Sequence, residues 1–569
     1  MMILIRISCY KHGCEWCSSK RIKFALLFEY EAIKFHGQDS RVKNDGLTST
    51  TLKLFNQAMT VDYSLYLVTD STMIPSSSTF LKQVEDAVNN GVTLVQLREK
   101  DISTLDFIER AKEVHKVTKP KNIPLIINDR VDVALAVDAE GVHVGQDDMP
   151  ATLVRKLIGP DKIVGVTCSN PEEVRQVVKE GVADYVGLGT TFATNTKKDV
   201  KTPGGVGPVG IRKQMNELSK DIRCVAIGGI NHSNANRVIH QCRVGDKKLD
   251  GIAVVSCIMA SEDAAKATRS LRDEINYTPD WAFTRSFGKN IPSHLMVKNM
   301  TDLHPLVHHI TNNVVKNFSA NVTLAIGASP IMSELPEEFE EFASGIPNIG
   351  LVINLGTPNA ELMNVFSKAL VTYNKYDKPI VFDPVACGAS KARLESCRKL
   401  LNQGFVSVIK GNVGEIMSMW KLTPYYKEGS NHENHMRGVD SISSVKEVEV
   451  LEKGFQVAST FGCTVVITGK QNHILGSDKR SVSVPGGDVV MGSITGTGCT
   501  LGSTIAAFLA AEKASPIVGG DILKATEIAV ELYNRAGACA AEVSQSLGTF
   551  MITFLDKLSE MSQNPEGKT

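Results

Sequence analysis

Two long stretches of the chain alternate short apolar, β-branched runs with amphipathic segments. Helical periodicity marks the intervening segments of the first stretch, as in 80–91 and 171–181. Its apolar runs predict eight strands, at residues 63–70, 91–100, 123–130, 141–145, 162–168, 183–190, 222–230 and 249–256. Because continuous apolar strands that alternate with helices form parallel sheets covered on both faces, eight such units predict a (β/α)8 TIM barrel.

The second stretch begins at Val297 and is punctuated differently. Its longer apolar runs predict strands at 324–330, 350–357, 379–386, 406–412 and 464–470. A shorter pair of runs follows, and then a glycine-rich turn opens a long apolar helix within residues 492–512. This alternation predicts a second α/β domain with an open, doubly wound sheet.

These patterns divide the chain into four parts. We expect an extension at 1–58 that is disordered or dispensable, because it shows no alternation of strands and helices. The barrel domain is predicted at 59–270 and the second α/β domain at 297–569. Residues 271–296 carry prolines and mixed charge without lasting periodicity, which is typical of a linker.

The composition of the chain limits the classes of binding partner that we expect. Lys+Arg and Asp+Glu are equal at 62 each in 569 residues, so no global field favours nucleic acid or an acidic membrane. No apolar run reaches the ~20 residues of a membrane-spanning helix. The 12 cysteines are scattered, which suits a reducing compartment. We therefore expect a cytoplasmic protein that binds small molecules, and neither nucleic acid nor membrane.

Polar residues follow the predicted barrel strands where an active site of this fold would lie. Two carboxylates near Arg and Lys are typical of a magnesium and diphosphate site, and glycines after the seventh strand are typical of a phosphate site. A single Asp at a strand end is more often a structural cap, but the joint pattern favours a site. The residues are Gln96, Arg98, Lys100, Asn128, Asp129, Asp148, Thr167 and Gly229.

The most informative candidate site of the second domain is the glycine-rich turn TGTGC, residues 495–499. Backbone amides at a helix start bind anions, and the helix dipole adds to the attraction. The same position lowers the pKa of a thiol, so Cys499 is expected to be partly thiolate. The alternative is a buried, inert cysteine.

The first stretch resembles thiamine-phosphate synthase in QLREK (96–100), INDR (127–130), GVHVGQDD (141–148), TNTKK (194–198) and AIGGI (226–230). The resemblance implies that a pyrimidine diphosphate ionises and that a thiazole nitrogen captures the resulting cation. It also implies that Asp129 and Asp148 hold Mg²⁺. The implied ligands of the pyrimidine diphosphate are Gln96, Leu97, Arg98, Glu99, Lys100, Asn128, Thr167 and Lys197. The implied ligands of the thiazole phosphate are Thr194, Asn195, Thr196, Gly229, Val255 and Ser256.

The second stretch resembles hydroxyethylthiazole kinase, a ribokinase-like family, in residues 307–332, DPVACGA (383–389), IKGNVGEI (409–416), ITGK (467–470) and TGTGC. The resemblance implies that Cys499 activates the thiazole alcohol and that Glu415 organises Mg²⁺ and water. The implied thiazole pocket consists of Asn312, Met332 and Gly496, and the implied ATP contacts are Lys410 and Thr468. Many relatives have Arg in place of Lys410. Kinases of this family are trimers, which implies a homo-oligomer built on a trimer.

Together the two halves resemble the fungal-type fusion of thiamine-phosphate synthase with hydroxyethylthiazole kinase. The two implied activities are consecutive, because one makes the thiazole phosphate that the other consumes. One alternative is that only one half is active, and another is a non-catalytic sensor of thiamine intermediates. A sensor would have lost the paired carboxylates or the TGTGC turn, and this chain keeps both.

Overall fold

The computed structural model describes residues 61–196, 201–279, 291–356, 358–427 and 446–566, and the backbone of 436–437 and 440–441. The predicted extension, residues 280–290 of the predicted linker and Lys197 lie outside the described residues. Residues 61–569 form one compact unit.

The first part is a closed barrel of eight parallel strands, as predicted. Neighbours around the barrel follow the order 1-8-7-6-5-4-3-2. Each predicted run contains one strand, shorter than the run itself. The strands are β1 Leu65–Val68, β2 Leu94–Leu97, β3 Leu125–Asn128, β4 Gly141–Val144, β5 Ile163–Cys168, β6 Tyr185–Leu188, β7 Arg223–Ile227 and β8 Gly251–Val254.

Helices follow the barrel strands and cover them. Several begin with the side-chain caps that their sequence provides; Thr79, Ser103 and Asn170, for example, accept bonds from the third backbone amide beyond them. A small hairpin, Arg243–Val244 with Lys247–Lys248, was not predicted. The helices are α1 Phe80–Asn89, α2 Thr104–Thr118, α3 Val131–Val137, α4 Ala151–Ile158, α5 Pro171–Glu180, α6 Gly207–Asn216, α7 Ala235–Gln241, α8 Ser256–Met259 and α9 Ala264–Asn276.

Alternation along each strand separates the two layers of the barrel. Leu65 and Leu67 of β1 join the hydrophobic cluster between strands and helices. Tyr66 and Val68 join a smaller interior cluster that also contains Tyr185. Because side chains of a strand point alternately to opposite faces, polar groups in phase with Tyr66 and Val68 face the interior.

The second part contains an eight-stranded open sheet. Its first six strands are parallel, and the last two are antiparallel to their neighbours. The spatial order is β10-β9-β11-β12-β13-β14-β15-β16. The strands are β9 Leu306–Ile310, β10 Ser329–Ile331, β11 Ile349–Asn354, β12 Ile380–Asp383, β13 Val408–Asn412, β14 Thr464–Thr468, β15 Gln471–Leu475 and β16 Ser481–Pro485.

The sequence pattern misplaced the first strands of this sheet. The run 324–330 was predicted as a strand, but Leu324 and Ala325 end a helix and only Ser329–Ile331 is extended. The strand β9 was missed, because its two histidines interrupt the apolar pattern that predicts strands. His308 and His309 are nevertheless buried, and each is hydrogen-bonded within the domain.

Hydrophobic clusters cover both faces of the sheet. Val352 and Val381 pack in one cluster, whereas their neighbours Leu351 and Ile380 pack in the other. The sheet is therefore covered by helices on both sides, as a doubly wound domain requires. The helices are α10 Ser293–Leu303, α11 Lys316–Ala325, α12 Phe339–Gly345, α13 Ala360–Lys375, α14 Lys391–Leu401, α15 Val413–Trp420, α16 Glu447–Phe461, α17 Thr497–Ala514, α18 Ile522–Val543 and α19 Leu547–Gln563. Within the described ranges, no helix has the length and apolar character needed to cross a membrane.

Candidate active sites

The barrel holds a cavity of about 500 Å³ at the carboxyl ends of its strands. Ten residues that the sequence analysis predicted as ligands line it, and they come from β2, β3, β5 and the segments that follow β2, β6, β7 and β8. They are Gln96, Arg98, Asn128, Thr167, Thr194, Asn195, Thr196, Gly229, Val255 and Ser256. Both predicted groups of ligands therefore meet in one space.

Two predicted ligands direct their side chains elsewhere. Leu97 is fully buried in the cluster between strands and helices. The carboxylate of Glu99 accepts a hydrogen bond from Ser71 at 2.7 Å and pairs with Arg110 at 2.8 Å. Because Gln96 and Arg98 face the cavity, strand alternation turns Leu97 and Glu99 away from it. These two side chains therefore do not face the cavity, and the contact of Leu97 and Glu99 with the pyrimidine diphosphate stays a prediction.

The predicted metal ligands form a pair of carboxylates at the rim. Asp129 has a left-handed backbone (φ 61°), and its carboxylate bonds the ammonium of Lys100. Burial, and then the neighbouring Asp148, raise the pKa of Asp129, while Lys100 opposes the shift. Asp148 also accepts a bond from the amide of Gly145 at 2.7 Å. Two adjacent carboxylates suit Mg²⁺, which keeps waters and takes further oxygens from phosphates.

A buried hydrogen-bond network crosses the floor of the cavity. The amide of Gln96 donates to the Tyr66 hydroxyl at 2.7 Å, and the hydroxyls of Tyr66 and Tyr185 are 2.6 Å apart. His143 joins the Tyr185 hydroxyl at 2.8 Å to the Thr167 hydroxyl at 2.8 Å. Burial raises the pKa of both tyrosines, so they stay neutral. The network holds Gln96 and Thr167, two predicted ligands, in place.

The sequence analysis missed three members of this network, Tyr66, His143 and Tyr185. A polar His within the apolar run GVHVG was a usable signal, because buried polar groups require partners. The two tyrosines carried no such signal, because aromatic residues are common in strands.

The loop after β6 rests on the glycines that follow β7. Gly228 and Gly229 have positive φ angles of 99° and 64°. The amide of Phe192 donates to the Gly228 carbonyl at 2.9 Å, and a Cβ added to Gly229 would lie 2.5 Å from the Ala193 carbonyl oxygen. Only glycine permits this close approach, which brings Thr194–Thr196 beside the glycine backbone. Lys201, which was not predicted, also lines the cavity, whereas Lys197 lies outside the described residues.

The second candidate site lies at the carboxyl end of the other sheet. Asn354 and Asp383 end β11 and β12 opposite each other, and Asn412 and Thr468 end β13 and β14 opposite each other. The glycine-rich turn meets this edge, because the Lys410 ammonium of β13 donates to the Gly498 carbonyl at 2.7 Å.

An ion pair is buried beneath the turn. The Lys410 ammonium lies 2.8 Å from Asp383, and both side chains are almost fully buried. One Asp383 oxygen receives Lys410 and the Asn354 amide, and the other has no hydrogen-bond partner. Burial raises the pKa of Asp383. Burial also opposes the charge of Lys410, but Asp383 and other nearby acidic groups outweigh it, so the pKa of Lys410 is raised. Lys410, a predicted ATP contact, thus holds the turn to the sheet.

Cys499 is the third residue of α17. Burial, and then the carboxylate of Asp383, raise its pKa to about 11, and Lys410 lowers it only in part. The expectation that this cysteine is partly thiolate at neutral pH is therefore wrong. Desolvation and a nearby carboxylate both favour the neutral thiol.

Glu415 is buried where α15 begins. Its carboxylate accepts bonds from the amides of Asn412 at 2.8 Å and Ala386 at 2.9 Å, and Asn412 caps the helix in return. Burial, and then Asp383, raise the pKa of Glu415 to about 7. The residue therefore ties the segment after β12 to the start of α15, close to the buried ion pair.

The predicted thiazole contacts lie along the same edge. The Asn312 amide donates to the Asn354 side chain at 2.9 Å, which connects it to Asp383. Gly496 has a φ of 99°, and a Cβ there would lie 3.0 Å from Val315. Met332 is half-buried and directly follows β10. The sequence analysis did not name Asn354 as a site residue, although it lies in the predicted strand 350–357.

Two family models match the chain. The model described as thiamine monophosphate synthase matches residues 65–258, which contain the barrel strands. The model described as the hydroxyethylthiazole kinase family matches residues 297–564. Fold and sites together define an α/β transferase with two separate phosphate-handling domains.

Two relatives match this chain across both of its domains. The chain is 41% identical over 532 residues to the thiamine biosynthetic bifunctional enzyme of Saccharomyces cerevisiae, covering 88% of this chain and 96% of the yeast protein. It is 41% identical over 519 residues to a probable thiamine biosynthetic bifunctional enzyme of Schizosaccharomyces pombe, covering 88% and 95%. Over 213 residues it is 46% identical to the thiamine-phosphate synthase of Clostridium novyi, covering 37% and 98%. The chain belongs to the family of thiamine biosynthetic bifunctional enzymes.

Proposed function

We propose that the two sites perform consecutive steps of thiamine phosphate synthesis. The second domain transfers the γ-phosphoryl group of ATP to the hydroxyl of 4-methyl-5-(2-hydroxyethyl)thiazole. The barrel then joins the thiazole phosphate to hydroxymethylpyrimidine diphosphate and releases diphosphate. The observation that carries this proposal is that ten predicted ligands line one cavity of the barrel, while a buried Asp–Lys pair lies beneath the glycine-rich turn of the second domain.

In the barrel, the bond between the pyrimidine methylene carbon and the diphosphate oxygen breaks, and the diphosphate leaves with the electron pair. Arg98 and Lys100 stabilise the departing charge, and the tyrosine network holds Gln96 and Thr167 against the pyrimidine. The thiazole nitrogen then forms the new C–N bond. Thr194–Thr196 and the Gly229 backbone bind the phosphate of the thiazole.

We assign Mg²⁺ to Asp129 and Asp148, whose adjacent carboxylates are a hard oxygen donor set. The ion would neutralise diphosphate charge there. Within the described ranges no cluster of three or more acidic, His or Cys side chains forms a metal site, so phosphate oxygens and water must complete the coordination.

In the second domain, the alcohol oxygen attacks the γ-phosphorus of ATP, and the bond to the ADP oxygen breaks. The amides of the glycine-rich turn stabilise the transferring phosphoryl group. Cys499 contacts the alcohol, and its raised pKa of about 11 keeps the thiol protonated at neutral pH, so it is not free to accept the alcohol proton. We therefore assign the alcohol proton to the Asp383 carboxylate, which pairs with the Lys410 ammonium at 2.8 Å. The proposed nucleotide side of the site consists of Lys410, Thr468 and Glu415. The proposed thiazole side consists of Asn312, Met332 and Gly496.

We further propose a homo-oligomer built on a trimer of the second domain. Exposed apolar side chains flank the thiazole contacts along the chain: Val314 is 70% exposed, Leu335 51% and Val489 78%. Their burial between subunits would stabilise an assembly. A cytoplasmic location is supported by the nine described cysteines, all of them free. Sedimentation of the purified protein tests the oligomer.

A coupled assay tests the function. The purified chain receives the thiazole alcohol, ATP, Mg²⁺ and the pyrimidine diphosphate, and thiamine phosphate is measured. Omission of ATP should abolish the product, and supplied thiazole phosphate should restore it without ATP. Asp383→Asn should lower phosphorylation by roughly 10²–10⁴, the usual loss with a general base, and leave condensation intact. A chain that catalyses only one half-reaction would contradict the proposal.

A further inference from the structure

The barrel helix α6 begins without a side-chain cap of its own. Val206 occupies the capping position, and its side chain makes no capping hydrogen bond. The amide of Val209, in the first turn, donates instead to the side-chain oxygen of Asn402 at 2.9 Å. Asn402 directly follows α14 in the second domain and is 8% exposed. An Asn oxygen that accepts a first-turn amide is the usual helix cap, here supplied by another domain.

Further contacts with Val206 and Gly207 fix Asn402 against the start of α6. Its amide donates to the Val206 carbonyl at 3.3 Å, and Arg398 donates to the same carbonyl at 3.4 Å. Gly207 has a φ of 63°, and a Cβ there would lie 2.1 Å from the Asn402 Cγ. The close approach therefore requires glycine at this position.

The rest of α6 is equally embedded in the second domain. Val209 belongs to the hydrophobic cluster on one face of the open sheet. Arg212 is 1% exposed, donates to the Thr460 carbonyl at 2.9 Å and lies over the Phe461 ring. A helix of the barrel is thus fixed in place by the core of the other domain.

The start of α6 also bonds to the segment that directly precedes the proposed thiazole phosphate ligands. The amide of Val206 donates to the Thr190 carbonyl at 2.9 Å, and the amide of Gly207 donates to the Thr191 carbonyl at 2.8 Å. Thr190 and Thr194–Thr196 line the barrel cavity. The position of this loop therefore depends on the residues that Asn402 contacts.

We infer that Asn402 of the second domain is a positioning residue for the condensation reaction in the barrel. By capping α6 it holds the loop of Thr194–Thr196 against the glycine backbone that binds the thiazole phosphate. The inference rests on the proposed function of the barrel. It makes the barrel reaction depend on the second domain, whereas phosphorylation does not depend on this contact.

The test uses the full chain and steady-state kinetics of each half-reaction. Asn402→Ala is expected to raise the KM for thiazole phosphate about 3- to 30-fold, if the usual stability cost of a lost helix cap is expressed fully as weaker binding. The KM for the pyrimidine diphosphate and the phosphorylation rate should stay within about twofold. Asn402→Asp keeps the capping oxygen and should recover most of the loss. Asp263→Ala removes the cap that α9 supplies for itself, where Asp263 accepts the Lys266 amide at 2.8 Å, and should leave every KM unchanged.

Three results would overturn the inference: an unchanged KM for thiazole phosphate in Asn402→Ala, an equal rise in both KM values, or no recovery in Asn402→Asp. An equal rise would mean general loosening of the barrel. Gly207→Ala approaches the same contact from the barrel side, and it should raise the same KM even where Asn402→Ala folds poorly. A wild-type chain that does not condense would instead remove the proposed function.

Discussion

A single substitution in the buried ion pair of Lys410 and Asp383 should lower the stability of the second domain strongly. In Lys410→Met the aliphatic part of the side chain is kept and the charge is lost. Asp383 is fully buried, one of its oxygens already lacks a partner, and the other would retain only the Asn354 amide at 3.1 Å. The variant therefore leaves a buried carboxylate without a counter-charge, and it also removes the bond to the Gly498 carbonyl.

The expected cost follows from that geometry. Removal of one partner from a buried ion pair typically costs about 3–5 kcal/mol, because the remaining charge stays desolvated. Because the second domain is slightly longer than 250 residues, each kcal/mol should lower its melting temperature by about 2 °C, the low end of the range for large domains. The melting temperature of Lys410→Met should thus fall by about 6–10 °C. Replacing both charges, in Lys410→Met with Asp383→Asn, should recover much of this loss, because neutral replacements of a buried pair are often tolerated.

Differential scanning calorimetry of the full chain measures the shift, with Lys410→Arg as the control that keeps the positive charge. Condensation from supplied thiazole phosphate at 25 °C checks that the barrel is intact. Phosphorylation should fail in both Lys410→Met and the double variant. The double variant regains stability, but it lacks the Asp383 carboxylate, which is the proposed proton acceptor. A melting temperature within about 2 °C of wild type in Lys410→Met, or a double variant no more stable than the single one, would refute the reasoning.

Four further predictions concern the extension and the two sites. A chain of residues 59–569 should fold and keep both activities, since every described strand and helix lies beyond residue 61; loss of either activity would make the extension structural. Asp129→Asn and Asp148→Asn should each slow condensation and raise the Mg²⁺ needed for half-maximal rate, and an unchanged Mg²⁺ titration would remove the residue from the metal site. Cys499→Ala should impair phosphorylation and leave condensation of supplied thiazole phosphate at the wild-type rate, while Arg98→Ala should do the reverse; loss of both rates in a folded variant would contradict separate sites. Alkylation of Cys499, mapped by mass spectrometry, should stay slow at pH 7 and rise towards its pKa of about 11, whereas a half-maximal rate below pH 8 would indicate a thiolate.

Several features of the molecule could be predicted from local sequence. Eight apolar runs gave the eight barrel strands, because a strand buried on both sides needs continuous apolar residues. Polar residues at the ends of those strands predicted one cavity, since parallel strands deliver their carboxyl ends to the same rim. The short motifs of both domains indicated the family, which the full-length relatives confirmed.

Other features were decided only by the tertiary structure. Strand alternation turned Leu97 and Glu99 away from the cavity, although they lie in the same motif as Gln96 and Arg98. Burial beside Asp383 raised the pKa of Cys499, although its helix position predicted the opposite. Both outcomes depend on which groups surround a side chain after folding, and residues far apart in sequence supply those groups.

The contact of Asn402 with α6 shows the same limit most clearly. The residues are separated by 193 positions, and the sequence of α6 shows only that a cap is missing. Local patterns report which backbone groups need partners, because propensity and periodicity act over a few residues. Which distant side chain supplies the partner depends on how the two domains pack, and that is determined only when both cores have formed.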